Sequence, residues 1–219
     1  TVLRENFQVW QVFYSTNMPI MESRFQIYAL LTQAFAQVDA NAPAKKDAVL
    51  VGHSTGGIIA RLLVSDADVT KKALSMMNNR QLNKFQKLPI ISQRLVIKDI
   101  PNFSRAIFLA TPHRGTDYAD RWFTKAARKI IRIPGAFLSA ISDSIQTQDL
   151  DLKELLQQID HGLIQNGPSD LSYQSKFIEL SKDISPRKGL AFHSIIGNIT
   201  DSRDINVITD DVVRYKSAH

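Results

Sequence analysis

"VLVGHSTGGIIARLLV", residues 49–64, passes from a β-branched apolar run through glycines set around one serine and into residues spaced as on a helix. Gly52-His53-Ser54-Thr55-Gly56 fits the pattern G-x-S-x-G in the context that pattern requires, a strand before it and a helix after it. So sharp a reversal forces the serine into a strained backbone conformation. Gly52 and Gly56 are expected to keep side chains out of the space where strand and helix nearly touch, and Gly57 extends that clearance. Ser54 is therefore the candidate nucleophile, with its Oγ raised above the carboxyl ends of the strands. The N–H of Thr55 and the positive end of the helix point at any oxyanion forming there. The bland alternative, a chance match to a short pattern, is disfavoured by the strand, the helix and the third glycine all standing in register.

Working outward, "FQVWQVFY" (7–14) is dense in aromatic and β-branched residues and suits a strand in an interior sheet. From Glu22 to Val38 the residues Ile27, Leu30, Leu31, Ala34, Phe35 and Val38 recur at three- and four-residue steps, which predicts an amphipathic helix. Strand 48–51 and the helix carrying Ile58, Ile59, Leu62 and Leu63 follow. A polar connection, 65–103, holds a predicted helix around 71–87, and "RAIFLA" (105–110) reads as another buried strand closed by "TPHRGT". This alternation is the rhythm of a parallel sheet covered on both faces, an α/β fold.

From Thr116 to about Lys188 the rhythm changes to helices alone, one on Phe123, Ala126, Ala127, Ile130 and Ile131 and one on Leu152, Leu155, Leu156, Ile159 and Leu163. The expected architecture is one α/β domain, with core 1–115 and 189–219 and an inserted helical cap at 116–188. Sheet character resumes at 190–196.

A chain of 219 residues can bury one substantial core, and 44% hydrophobic with 22% charged residues is a soluble globular composition. No apolar run approaches the roughly 20 residues that cross a bilayer. The excess of 27 Lys+Arg over 21 Asp+Glu gives +6, and the absence of cysteine excludes disulfides and thiolate metal sites. Compartment stays open on these grounds. Thr1 opens directly onto a strand-like run with no initiator methionine, so the chain reads as trimmed.

"VGHSTGGIIAR" resembles the nucleophile elbow of α/β-hydrolase serine esterases and lipases. "IFLATPHRGT" resembles the strand end of a lipase-like subgroup that includes the GPI inositol-deacylases and many bacterial hydrolases. "YSTNMPI", "DLSYQSKFIELS" and "FHSIIGN" are similar to that bacterial subgroup as well, so the resemblance extends over most of the chain. It implies the α/β-hydrolase fold and ester hydrolysis, without naming a substrate, and leaves an extracytoplasmic or membrane-associated location open.

In that fold the chain order is Ser, then acid, then His. Asp210, in "TDDVV", lies where the subgroup carries Asp-Gly-Val-Val; here Asp211 replaces the glycine, and Asp210 is favoured over it as the acid. The base is harder to place. His53 belongs to the elbow itself, His113 ends a strand, His161 sits in the cap and His193 lies inside a strand. His219 remains, nine residues after Asp210, within reach of an extended chain but too close for the helix and strand that normally intervene. We therefore expect the true base, and the second oxyanion donor that an upstream His-Gly would supply, to lie outside this segment, leaving the fragment inactive or nearly so.

Helix 121–132 carries Arg121, Lys125, Arg128, Lys129 and Arg132 opposite its apolar stripe. That pattern suits a lid over an acyl pocket and also a peripheral contact with an anionic membrane. Arg61 is expected to be a structural ion-pair partner. The aromatics do not alternate with Lys and Arg as nucleic-acid binding needs, no cluster has metal-ligand spacing, and no cofactor is implied. The resulting expectation is a serine hydrolase of carboxylic, lipid-like acyl esters, with thioester or amide cleavage open to the same machinery. The rival from another class is a non-catalytic α/β-hydrolase-fold binding or scaffolding module.

Overall fold

The computed structural model describes residues 2–16, 18–79, 82, 93–117 and 167–218. The predicted cap helices at 121–132 and 152–163, with His161, and the terminal His219 lie outside the described residues. Helix α1 is Val2–Asn6, α2 Ile20–Ala36, α3 Thr55–Leu63 and α4 Thr70–Ser75; α5 is Gly167–Asp170, α6 Lys176–Ser181 and α7 Tyr215–Ala218. The strands are β1 Ala48–His53, β2 Ala67–Asp68, β3 Val96–Ile97, β4 Phe103–Leu109 and β5 Ala191–Ile195.

The centre is a parallel sheet in the order β1-β4-β5. Its register sets Gly52 beside Phe108 beside Ser194, and His53 beside Leu109 beside Ile195, so all three strands end at one edge. Whatever follows each strand is thereby gathered at that edge. β1, β4 and β5 lie where short apolar runs predict strands, and the mixed α/β class follows from this sheet and its flanking helices. The second sheet, β2 with β3, is a two-residue antiparallel pair too short to read from sequence.

Helix α3 is buried from Gly57 to Leu63, with Ile58 and Leu62 fully inaccessible, and it packs on β1, β4 and α2. Each such side chain contributes roughly 1.5–3 kcal/mol of burial free energy, which is why this helix cannot move relative to the strand that feeds it. The stripe Ile20, Ile27, Leu31 and Phe35 buries α2 against the same core, as its periodicity predicts. Both ends of α2 are closed by side chains from elsewhere. Asp170 Oδ2 accepts the Ile20 N–H at 2.8 Å where Pro19 offers no cap. At the other end Lys45 Nζ donates to the carbonyls of Phe35 and Val38 at 2.7 and 3.0 Å, a cation at the negative pole of the helix.

Three expectations need correction. The segment 7–14 forms no strand and pairs with no described strand, and Phe13 is 88% exposed. Its aromatic content supplies β-propensity, yet a strand forms only where a neighbour completes its hydrogen bonds. What anchors it is Trp10, whose ring lies 5.4 Å from that of Phe35. At the front of the chain, the short helix α1 stands where the sequence reads as a strand. Lastly, among the described residues the sheet is covered on one face only. Ala106 and Phe108 are buried under the helices, whereas Val49 and Val51 on the opposite face remain 45% and 56% exposed, with Arg105 and His193 in contact nearby.

Candidate active site

Ser54 stands between β1 and α3 with φ 53° and ψ −124°, a conformation that L-residues avoid and that costs on the order of 1–3 kcal/mol. The strain is imposed from both sides. The Ser54 N–H is held by the carbonyl of Leu109 at 2.9 Å, on the neighbouring strand, and the Ser54 carbonyl accepts the Gly57 N–H at 2.9 Å, inside the helix. A serine at a helix N-cap ordinarily spends its hydroxyl on the first-turn amides; that of Ser54 makes no cap bond, and the residue is only half-buried. Thr55 opens α3, so its N–H has no acceptor within the helix.

The glycines divide the work differently from the sequence expectation. A Cβ on Gly52 would lie 2.5 Å from the Gly56 carbonyl oxygen and 2.6 Å from Gly57 Cα, both backbone atoms. On Gly57 it would lie 1.8 Å from Thr111 Oγ1. Gly56, by contrast, has room: the nearest atom to an added Cβ is the Tyr14 hydroxyl, at 3.7 Å. The clearance between strand and helix therefore belongs to Gly52 and Gly57, and Gly56 contributes its backbone. Tyr14, passed over in the sequence, brings a hydroxyl to the first turn of α3, and burial raises its pKa so that it stays a donor.

Asp210 reaches the same edge of the sheet from beyond β5. A Cβ on Gly197, two residues past β5, would sit 3.2 Å from Asp210 Cβ. Oδ1 of Asp210 accepts the N–H groups of Val212 and Val213 at 2.9 and 2.6 Å, which fixes the carboxylate on its own turn. Asp211 is exposed and adopts φ 76°, the left-handed backbone that explains a glycine in the similar motif and that aspartate tolerates better than most residues. Two strand spacings, about 10 Å, separate the strand leading to Ser54 from the strand leading to Asp210.

His53 is exposed at the end of β1, and His193 lies on the open sheet face against Arg105. His113 is buried edge-on against Phe108, ring centroids 4.9 Å apart, and burial together with the nearby Arg61 guanidinium lowers its pKa to about 3. It is a neutral packing residue. Arg61 is not the ion-pair partner it was expected to be. It is 5% exposed, its Nη1 donates to the Ile184 carbonyl at 2.9 Å, and no described carboxylate reaches it. Desolvation, then repulsion from Arg114, lowers its pKa to about 10, so it stays charged.

Among the described residues no three His, Asp or Glu side chains gather as metal ligands, and no helix is long and apolar enough to cross a membrane. No protein-family model matches this chain, and no curated protein matches it.

Proposed function

We propose that this protein is a serine hydrolase of the α/β-hydrolase fold, with a helical cap at 116–188, that cleaves carboxylic esters of lipid-like acyl chains through an acyl-serine intermediate. The observation that carries this reading is the backbone of Ser54, at φ 53° between a parallel strand and a buried helix, with its hydroxyl unspent on capping. Strain of this kind persists only where the surroundings over-determine it, and it concentrates at functional positions.

The chemistry follows from the parts. Ser54 Oγ attacks the acyl carbon while an imidazole takes its proton, and the carbonyl π pair moves onto oxygen. That oxyanion lies against the Thr55 N–H and the positive end of α3. As the oxyanion collapses, the bond to the alkoxy group breaks and the imidazole returns the proton to the departing oxygen. Water, deprotonated by the same imidazole, then attacks the acyl-Ser54 ester and reverses the sequence. Asp210 orients the imidazole through the oxygen its turn leaves available. The base is a histidine that follows the acid in chain order. The segment 121–132, outside the described residues and predicted as a basic amphipathic helix, is proposed as a lid over the acyl pocket or a peripheral contact with an anionic membrane.

Labelling of the full-length protein with a fluorophosphonate probe tests the reading. The expected result is a covalent adduct that disappears in Ser54→Ala. Absence of any adduct supports the scaffolding module instead, and an adduct retained in Ser54→Ala removes Ser54 as the nucleophile.

A further inference from the structure

The loop after β4 and the turn that carries Asp210 are far apart in sequence and tied together in space. Thr116 Oγ1 donates to the Val212 carbonyl at 2.5 Å. The Arg114 N–H donates to the Ser217 carbonyl at 3.1 Å, and the Ser217 hydroxyl donates back to the Gly115 carbonyl. Outside these bonds Arg214 pairs with Asp117 at 3.0 Å. Thr116 and Ser217 are buried, 4% and 2% exposed, and the Ser217 bond to Gly115 lies in the interior, out of competition with water.

The loop itself has little freedom. Gly115 adopts φ 90°, where a Cβ would lie 3.0 Å from the Leu171 carbonyl oxygen, and the Thr116 N–H is held by that carbonyl at 2.8 Å. Toward the sheet, Thr111 is wedged against Gly57 in the helix that Ser54 opens. A rigid path therefore runs from the elbow through residues 111–116 to the Val212 carbonyl, and Val212 supplies one of the two N–H groups that fix the Asp210 carboxylate.

We propose that Thr116 is a positioning residue for Asp210: its hydroxyl, assisted by the Ser217 bond to Gly115, sets the height of the acid turn above the sheet relative to Ser54. The proposal rests on the acyl-serine reading of the same site. Removing the Thr116 hydroxyl takes away the donor that holds the Val212 carbonyl and lets the turn rotate. The carboxylate then holds the imidazole in a poorer orientation. Substrate binding, which does not use that turn, is unaffected.

The test is steady-state hydrolysis of p-nitrophenyl butyrate by the full-length protein. Thr116→Val, which keeps shape and loses the donor, is expected to lower kcat roughly tenfold to a hundredfold with KM within about twofold of wild type. Thr116→Ser, which keeps the donor, is expected to restore kcat. A Thr116→Val kcat within about twofold of wild type overturns the proposal, and so does an equal loss in Thr116→Ser. Where Thr116→Val yields no folded protein, Ser217→Ala carries the test: a lowered kcat at unchanged KM supports positioning, and an unchanged kcat overturns it. Fluorophosphonate labelling separates the two levels. Labelling that survives Ser54→Ala brings down the acyl-serine reading; labelling lost in Ser54→Ala together with an unaltered Thr116→Val brings down the positioning role alone.

Discussion

Gly57 and Thr111 occupy adjoining space so completely that a methyl group on Gly57 would stand 1.8 Å from the threonine Oγ1 and 2.8 Å from its Cβ. The third glycine of the elbow and the first residue of "TPHRGT" are thus two halves of one packing contact between α3 and the end of β4. Gly57→Ala is expected to destabilise the protein by about 1–3 kcal/mol, the range for overpacking a filled core. Thr111→Gly, combined with it, is expected to recover a large part of the loss in a double-mutant cycle read by urea unfolding. Gly56→Ala makes the control, since its Cβ meets only the Tyr14 hydroxyl at 3.7 Å. There the helix preference of alanine predicts stability equal to or up to about 1 kcal/mol above wild type.

Ser54→Gly separates activity from stability. Glycine relieves the positive φ of 53° at no steric cost, so the variant is expected to unfold at higher urea, by about 1 kcal/mol, while losing the fluorophosphonate adduct. Equal or lower stability in Ser54→Gly counts against strain at the elbow.

His113 is expected to make the fold acid-sensitive. Its folded pKa of about 3 lies below the ordinary value of 6.5, so the unfolded chain binds a proton that the folded chain refuses. The contribution is complete above pH 6.5, shrinks as the pH falls below it and is gone near pH 3. His113→Gln is expected to lose less stability than wild type between pH 7 and about pH 4.5, as measured by urea unfolding at both. The His113 ring signals in NMR are expected to stay put over that interval.

Asp170 works with the opposite sign. Burial raises its carboxyl pKa well above 3.8, against the opposing pull of the Ile20 N–H. The folded state therefore keeps a proton that the unfolded chain has lost, and stability declines as the pH rises from the ordinary carboxylate value toward the raised one. Asp170→Asn, which keeps an acceptor for Ile20, is expected to lack this decline, so that its stability gains on wild type from pH 5 to about pH 8. A parallel pH dependence in the two proteins argues against a protonated Asp170.

The parts of the fold that the sequence disclosed are those fixed by local pattern. The three strands of the parallel sheet announce themselves as short apolar runs, and α2 by its spacing of Ile27, Leu31 and Phe35. The strained backbone of Ser54 was legible because glycine, serine and glycine at fixed offsets describe a backbone shape. The segment 7–14 misled because propensity records how a residue fits a pleated surface and says nothing about whether a partner strand arrives. Arg61 misled for a related reason: its partner is the Ile184 carbonyl, 123 residues away, and a main-chain acceptor leaves no mark in side-chain composition. The positive φ of 44° at Ala110 had no signal at all, since alanine does not advertise the left-handed region. The hydroxyl bonds of Thr116 and Ser217 were equally silent, because their acceptors are peptide carbonyls.

The hydroxyl bonds that tie Thr116 to Val212 and Gly115 to Ser217 span 96 and 102 residues, whereas the elbow is complete once β4 has paired with β1, about half as far along the chain. During synthesis residues 48–57 and 103–111 therefore leave the ribosome well before residues 212–217, and the elbow precedes the acid turn that is tied to it.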